Sequence, residues 1–370
     1  MPHGRPSSDE KGENSSSESE QLISGHDAEP AMSPPPRAPR RYVWESFACL
    51  SVAMVAAFAT AGALIRPLMR RTILFGRLPY NEREARLYLQ YARASFCAKG
   101  PLESWSCGQM CVEAPVDVDA GVHVLGPGML WGVQGLVAAM PLSLRDTGMR
   151  GDRRRCIVAF RGSVDVGNWM ADVMAFPKAW PAKGGGSAWC PGCAVHSGFS
   201  DAYDELRPEL FQALSRLACR SVAVTGHSLG AAVATLATIE LRAVMGVQAD
   251  PVFLFGSPRV GNAAFVAAFE AEAEKQNVVP PAWRVIHWMD PVPRIAPKLP
   301  PFGFLHLPQE VYYPTEASDR YRVCDSNTGE DPNCADEFSF EECMVSPDHL
   351  NYLNLTLQHT AFPPECTGTV

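Results

Sequence analysis

Beyond residue 120 the chain alternates short apolar runs with longer stretches in which apolar positions recur every three to four residues. The runs are Val122–Leu125, Met129–Ala139, Cys156–Phe160, Ser221–Thr225, Val252–Phe255 and Arg284–Trp288. The last four are short, apolar on both faces and separated by helical stretches, which predicts parallel strands sandwiched between helices. The expected fold class is therefore α/β, a mostly parallel central sheet with helices on both sides. Asn81, with Glu84 three residues on, has the form of a capping box, and Leu87, Tyr88, Tyr91 and Ala94 follow at helical spacing. A helix ending by Gly100 is expected to open the globular part.

Two earlier stretches break this pattern. Ser46 to Ile65 runs for 20 residues without a charge, flanked by Arg37, Arg40 and Arg41 before and Arg66, Arg70 and Arg71 after, which predicts one transmembrane helix. A cleaved signal peptide starts closer to the N-terminus, and a buried core helix is rarely apolar all round. Residues 1–45 are Ser-, Glu- and Pro-rich and hold too few aliphatic and aromatic residues to fold, so a disordered acidic tail is expected there. The expected organisation is a tail over 1–45, a signal anchor over 46–65, a linker over 66–79 and one globular domain over 80–370.

Ser221 to Leu236 reads as strand, tight turn and helix, with GHSLG at the turn. This order predicts a nucleophile elbow centred on Ser228, with Gly226 and Gly230 needed where a side chain would strike the strand or helix. The competing reading is a serine in an ordinary glycine turn. In parallel sheets the chemistry gathers beyond the carboxyl ends of the strands. There Asp290, followed by Pro291 and Pro293, is the natural acid of a triad, the alternative being a solvated loop aspartate. His306, His349 and His359 follow it; His306 lies in an apolar stretch and is expected to pack, His349 is the expected base, and His359 is held in reserve. The backbone N–H of Leu229 and Ser163, after Cys156–Phe160, are the expected oxyanion donors. Val164, Val166, Trp169, Met170, Val173 and Met174 form an apolar helical face that suits a lid, or else an amphipathic surface helix.

Charge and cysteines narrow the picture. A formal charge of −8 without a basic stripe excludes nucleic acid as an expected partner. Of twelve cysteines all but Cys49 follow residue 95, and the close pairs Cys107/Cys111, Cys190/Cys193 and Cys324/Cys334 predict short disulfide loops. Zinc at Cys190 and Cys193 is the weaker alternative, because no second pair with matching spacing follows. Disulfides require the globular domain to lie outside the cytosol, so residues 1–45 are expected inside it.

Seven blocks then resemble a known family: FRGSVDVGNWMADV (160–173), VHSGF (195–199), VTGHSLGAA (224–232), FGSPRVGN (255–262), the aspartate in Met289-Asp290-Pro291, GFLHLPQEVYY (303–313) and DHLNYL (348–353). In this order they are similar to the class 3, fungal-lipase-like branch of the α/β hydrolases, over roughly residues 80–368. The resemblance implies an α/β-hydrolase fold, a triad of Ser228, Asp290 and His349, an oxyanion hole at Ser163 and Leu229, a lid over 164–176, and no metal or organic cofactor. It also implies disulfides Cys97–Cys366, Cys107–Cys111 and Cys324–Cys334, with Cys190–Cys193 similar to a pair in feruloyl-esterase members. Cys156 and Cys219 are expected to be buried free thiols, and Cys343 has no assigned partner. The implied activity is hydrolysis of acylglycerol esters at a membrane, with phospholipase A1, feruloyl-type esterase or a catalytically silent membrane-tethered binding module as alternatives. His349 stands at the expected start of a last helix, and Asn354-Leu355-Thr356 is a glycosylation sequon that this helix would bury.

Overall fold

The structure, a computed structural model, describes residues 79–141, 154–163, 176–181, 189–344, 346–357 and 366. The expected tail, the span at 46–65 and the linker up to residue 78 lie outside these. No helix among the described residues is long and apolar enough to cross a membrane.

The first helix, α1 (Glu82–Ala94), starts where the capping pattern places it: the Asn81 side chain accepts from the N–H groups of Arg83 and Glu84. It ends before Gly100. At Ser95 the chain turns, and the carbonyls of Ser95 and Cys97 accept from the buried amide of Gln134 at 2.9 and 2.8 Å.

Strands β1 (Val122–Leu125), β2 (Gly135–Ala139) and β3 (Arg155–Phe160) follow as an antiparallel edge. The run expected to be extended from Met129 is a turn up to Val133, where Gly132 has φ +59° and Met129 and Leu130 are 98% and 81% exposed. An apolar pattern alone cannot distinguish such a solvent-facing turn from strand. A hairpin of β4 (Pro177–Ala179) and β5 (Ala194–His196) leads into α2 (Ser197–Arg216). Then come β6 (Ser221–His227), α3 (Leu229–Ala243), β7 (Gln248–Phe255), α4 (Ala263–Lys275), β8 (Trp283–His287), β9 (Glu310–Tyr313) and β10 (Arg322–Val323). Among the described residues eight strands form one sheet, ordered β1-β2-β3-β6-β7-β8-β9-β10 and parallel from β3 through β9.

Strand β9 is not among the expected strands; it is four residues long and its first residue is charged. Glu310 faces Arg284 across the β8/β9 register and pairs with it at 2.7 Å, both wholly enclosed. Arg284 also donates to the Leu307 and Gly329 carbonyls, and Glu310 accepts from the Ala335 N–H, so neither charge is left bare.

One face of the sheet packs α1 with Tyr88, Phe253 and Tyr352, and the other packs α2, α3 and α4. Residues Leu229 to Arg242 of α3 are buried on every side. Its alanines make that feasible, since small side chains let strand and helices approach from all directions. The chain closes with a 3-10 turn (Pro347–Leu350) and a tight hairpin of β11 (Asn351–Tyr352) and β12 (Leu355–Thr356), not the helix expected after His349. Asn354 is therefore exposed at the hairpin tip, with φ +59°, where a terminal helix would have hidden it.

Among the described residues five disulfides join Cys97–Cys366, Cys107–Cys111, Cys156–Cys219, Cys190–Cys193 and Cys324–Cys334. The third corrects the expectation of two free thiols. Cys156 lies at the amino end of β3 and Cys219 just before β6; these strands are parallel neighbours, which brings the two Cα atoms to 5.7 Å. Cys343 is the one free cysteine among the described residues. Replacing Cys156 and Cys219 by Ala is expected to lower unfolding stability by about 4 kcal/mol, from closure of a 63-residue loop. Urea unfolding under oxidising conditions checks this; coincident curves for variant and wild type would contradict the bond.

Candidate active site

The carboxyl ends of β3, β6, β7 and β8 deliver, in turn, Arg161-Gly162-Ser163, Ser228, Gly256 and Trp288-Met289-Asp290. Ser228 sits between β6 and α3 with φ +60° and ψ −130°, a backbone state that costs a non-glycine residue on the order of 1–3 kcal/mol. Its N–H donates to the Phe255 carbonyl at 3.0 Å, which ties the turn to β7. The flanking glycines are required by approach distance. A Cβ on Gly226 would stand 2.4 Å from the Gly230 carbonyl oxygen, and one on Gly230 would stand 2.3 Å from the Phe160 carbonyl oxygen. Strand, turn and neighbouring strand thus press together where the sequence pattern demands glycine.

Ser228 is buried, and its Oγ has no hydrogen-bond partner among the described residues. Ser228 caps α3, so the N–H of Leu229 lies in the first turn, where the helix itself has no acceptor and the dipole favours negative charge. Gly162 packs on the nucleophile: a Cβ there would be 2.8 Å from the Ser228 Cβ. Ser163, the next residue, is half-buried at the same strand end. The six residues proposed for the lid, Val164, Val166, Trp169, Met170, Val173 and Met174, lie outside the described residues, as does His359. Phe176, which ends the expected 164–176 lid stretch, is 68% exposed and stacks on Phe302 at 5.9 Å.

Asp290 is fully buried, and both its oxygens lie 2.9 Å from Nδ1 of His349. The carboxylate also accepts from the Val292 N–H at 2.8 Å and from the Tyr352 hydroxyl in a short bond. Burial pushes this carboxyl upward, but His349, Tyr352 and the Val292 amide outweigh it and hold Asp290 below the ordinary carboxylate range. Burial, and then the Asp290 charge, push the Tyr352 phenol well above its usual value, so it remains a donor. Gly256, with φ +56°, leaves room for this meeting: a Cβ there would be 2.8 Å from Asp290 Oδ2 and 3.2 Å from His349 Cε1. Ser228 through Phe255, and Asp290 and His349 through Gly256, converge on one strand end.

His306 is elsewhere. Its Nε2–H donates to the Pro293 carbonyl at 2.7 Å, and burial followed by Arg284 and Arg259 drives its pKa well below the ordinary imidazole value. It packs as a neutral ring. Tyr352 was not singled out in the sequence; its position three residues after His349 is the one feature that could have drawn attention to it. Glu310, Cys324 and Cys334 gather within metal-ligand distance of one another, but the two cysteines are bonded to each other and their sulfurs are not thiolate ligands.

Residues 157–299 match the family described as lipase (class 3). A lipase of Rhizomucor miehei is 32% identical over 214 residues, 56% of this chain and 54% of its own length. Secreted mono- and diacylglycerol lipase 1 of Fusarium solani is 30% identical over 296 residues, 75% of this chain and 80% of that protein. The chain spans about half the length of the first curated relatives it matches, 54% for the Rhizomucor lipase and 47% for the Penicillium cyclopium secreted mono- and diacylglycerol lipase A. A solved Rhizomucor miehei lipase–propeptide complex aligns with a TM-score of 0.56 and 27% identity, over 74% of this chain and 81% of its own.

The Asp290 environment makes a pH-dependent prediction. A carboxyl whose folded pKa is depressed adds stability that is present above its unfolded value of about 3.9 and is lost as pH falls through the folded value. Tyr352→Phe removes one donor, so its folded pKa for Asp290 rises toward the unfolded one. The variant should be about 2 kcal/mol less stable than wild type near neutral pH, with the gap shrinking as the medium is acidified below the unfolded carboxyl value of about 3.9. Urea unfolding across that range measures it, and a gap independent of pH would sink the assignment.

Proposed function

The chain belongs to the class 3 lipases of the α/β-hydrolase superfamily, and from that membership we propose that it is a membrane-anchored serine esterase hydrolysing the ester bonds of tri-, di- or monoacylglycerols. The observation that carries the reading is the convergence of a strained Ser228, a buried Asp290 and His349 at one end of the sheet. In this mechanism Ser228 Oγ attacks the ester carbonyl while His349 Nε2 takes its proton, and Asp290 holds the Nδ1–H and offsets the imidazolium charge. The oxyanion is received by the N–H of Leu229 and by Ser163. His349 returns the proton to the departing alcohol, and a water activated by the same ring then cleaves the acyl-enzyme. No step calls for a metal or organic cofactor.

Lipid esters as substrates are supported by the apolar lid sequence, by exposed Phe176 at its end and by the names of the Fusarium and Penicillium relatives, which are mono- and diacylglycerol lipases. The anchor rests on the 20 uncharged residues Ser46 to Ile65, and a secretory, luminal or extracellular domain on the five disulfides. Nothing in the charge pattern suits nucleic acid.

Full-length protein offered tri-, di- and monoacylglycerols, a phospholipid and a feruloyl ester should cleave acylglycerols fastest, and Ser228→Ala should lose at least ~10³-fold. Retention of activity in Ser228→Ala removes the mechanism, and preference for the phospholipid or feruloyl ester redirects the substrate assignment. Labelling of wild type but not Ser228→Ala by a fluorophosphonate separates an esterase from a silent binding module.

Topology has its own test. Asn354 stands exposed at the β11/β12 tip, so a domain made in the secretory lumen should carry a glycan there. Digestion with an endoglycosidase should raise the mobility of wild type but not of Asn354→Gln. If wild type is unmodified while a tag before residue 40 is glycosylated, the orientation is reversed.

A further inference from the structure

His349 sits on a single 3-10 turn, Pro347–Leu350, which has too few hydrogen bonds of its own to fix a side chain. Two buried imidazoles reach that turn from the sheet. His227 is the last residue of β6 and directly precedes Ser228; its Nε2 lies 2.8 Å from the carbonyl oxygen of His349. A carbonyl can only accept, so this nitrogen carries the hydrogen. The two rings are 4.5 Å apart and tilted by 31°. His287 is the last residue of β8, three before Asp290, and its Nδ1 lies 3.2 Å from the carbonyl oxygen of Asp348. Its Nε2 edge faces the carbonyls of Thr315 and Glu316, each at 3.2 Å. Both nitrogens thus face acceptors, and the ring bonds on both sides only with a hydrogen on each, for which the Asp348 carboxylate, 3.7 Å from Nδ1, is the nearby counter-charge. The strand that ends in the nucleophile and the strand that ends before the acid thus each extend a ring to the backbone of the turn carrying the base.

We propose that His227 and His287 are positioning residues, clamping the carbonyls of Asp348 and His349 so that the His349 ring is held in register with both Asp290 and Ser228. The proposal rests on the hydrolase reading of this site. A filler role does not account for the residue types. Both positions are fully enclosed among aromatic rings, with Phe96 6.3 Å and Tyr352 5.6 Å from His227 and Tyr352 5.9 Å from His287. Phenylalanine would fill such space without burying a polar nitrogen, which is unfavourable unless that nitrogen is hydrogen-bonded. What imidazole adds is the directed N–H. Placement matters because proton transfer tolerates little error: a displacement of about 1 Å costs on the order of 10²-fold in rate.

The test compares side chains that keep the donor with ones that keep only the shape. Gln at 227 can place an amide N–H near the His227 Nε2 position, and Asn at 287 near the His287 Nδ1 position. His227→Phe and His287→Phe should each lose about 10- to 100-fold in kcat with KM within about threefold of wild type, while His227→Gln and His287→Asn recover most of that loss. If the amide variants fare no better than the Phe variants, or the Phe variants keep wild-type kcat, the clamp is overturned. A second readout does not need turnover: the low-field proton resonance of His349 Nδ1–H against Asp290, recorded by NMR on folded protein. It should shift or broaden in the Phe variants and return in the amide variants; an unchanged resonance in all four overturns the proposal. Wild-type turnover no greater than that of Ser228→Ala would instead reject the hydrolase reading, leaving the NMR comparison to judge the clamp.

Discussion

A carboxylate with no access to water is the constraint around which this structure is arranged. Taking the Asp290 charge out of solvent costs several kcal/mol, and it stays charged because His349, Tyr352 and the Val292 amide all face it. Each partner requires a piece of backbone. Pro291 starts the short turn that returns the Val292 N–H to the carboxylate. The 3-10 turn brings in His349, and the hairpin after it brings in Tyr352, so residues 347–356 are folded over the end of β8. Gly256 then leaves the space into which these groups close. A buried charge with fewer partners would protonate and cease to orient the imidazole.

The nucleophile depends on a different kind of compensation. The unfavourable φ of Ser228 persists because β6, α3 and β3 enclose it, with Gly226 and Gly230 as the points of closest approach. The helix that holds the strain is itself buried along nearly all its length and is built from alanines. It cannot relax without opening the core. The stable element and the strained residue are therefore adjacent in sequence by necessity: the turn that holds Ser228 is also where the first N–H groups of α3, which lack acceptors within the helix, begin.

How much of this was legible follows from the range of each signal. The strand–turn–helix order around Ser228 is legible because strand, glycines and helix are contiguous in Ser221–Leu236, and the place of Asp290 past β8 because prolines mark the strand end. His349 was reached by chain order, yet its surroundings were misjudged as a helix, since the β11/β12 hairpin has only two residues per strand and no periodicity to detect. Strand β9 was invisible because all four of its residues are buried, which leaves no alternation to detect, and the pairing of Glu310 with Arg284 on β8 spans 26 residues of sequence. Cys156 and Cys219 were separately recognised as buried, but their bond depends on β3 and β6 being neighbours, a fact of topology. Tyr352, His227 and His287 act through contacts across 28 to 122 residues of sequence separation, and no local pattern encodes such a distance.

The two ends of the sheet are secured by different chemistry, and the division makes physical sense. At the amino ends of β3 and β6 the Cys156–Cys219 bond fixes neighbouring strands covalently, and Arg155 adds a bond to the Asp250 carbonyl at the start of β7. At the carboxyl ends, where the proposed reacting centre would exchange protons and admit substrate, the links are hydrogen bonds among His349, Asp290, Tyr352, His227 and His287. A disulfide placed there would fix distances but could not respond to charge. An imidazole–carboxylate contact strengthens as the ring gains a proton, which is the moment at which its position matters most. Covalent bonds can therefore hold the frame in the oxidising compartment that their number implies, while the polar links at the opposite end are free to change strength through a reaction cycle without disturbing the strands that carry them.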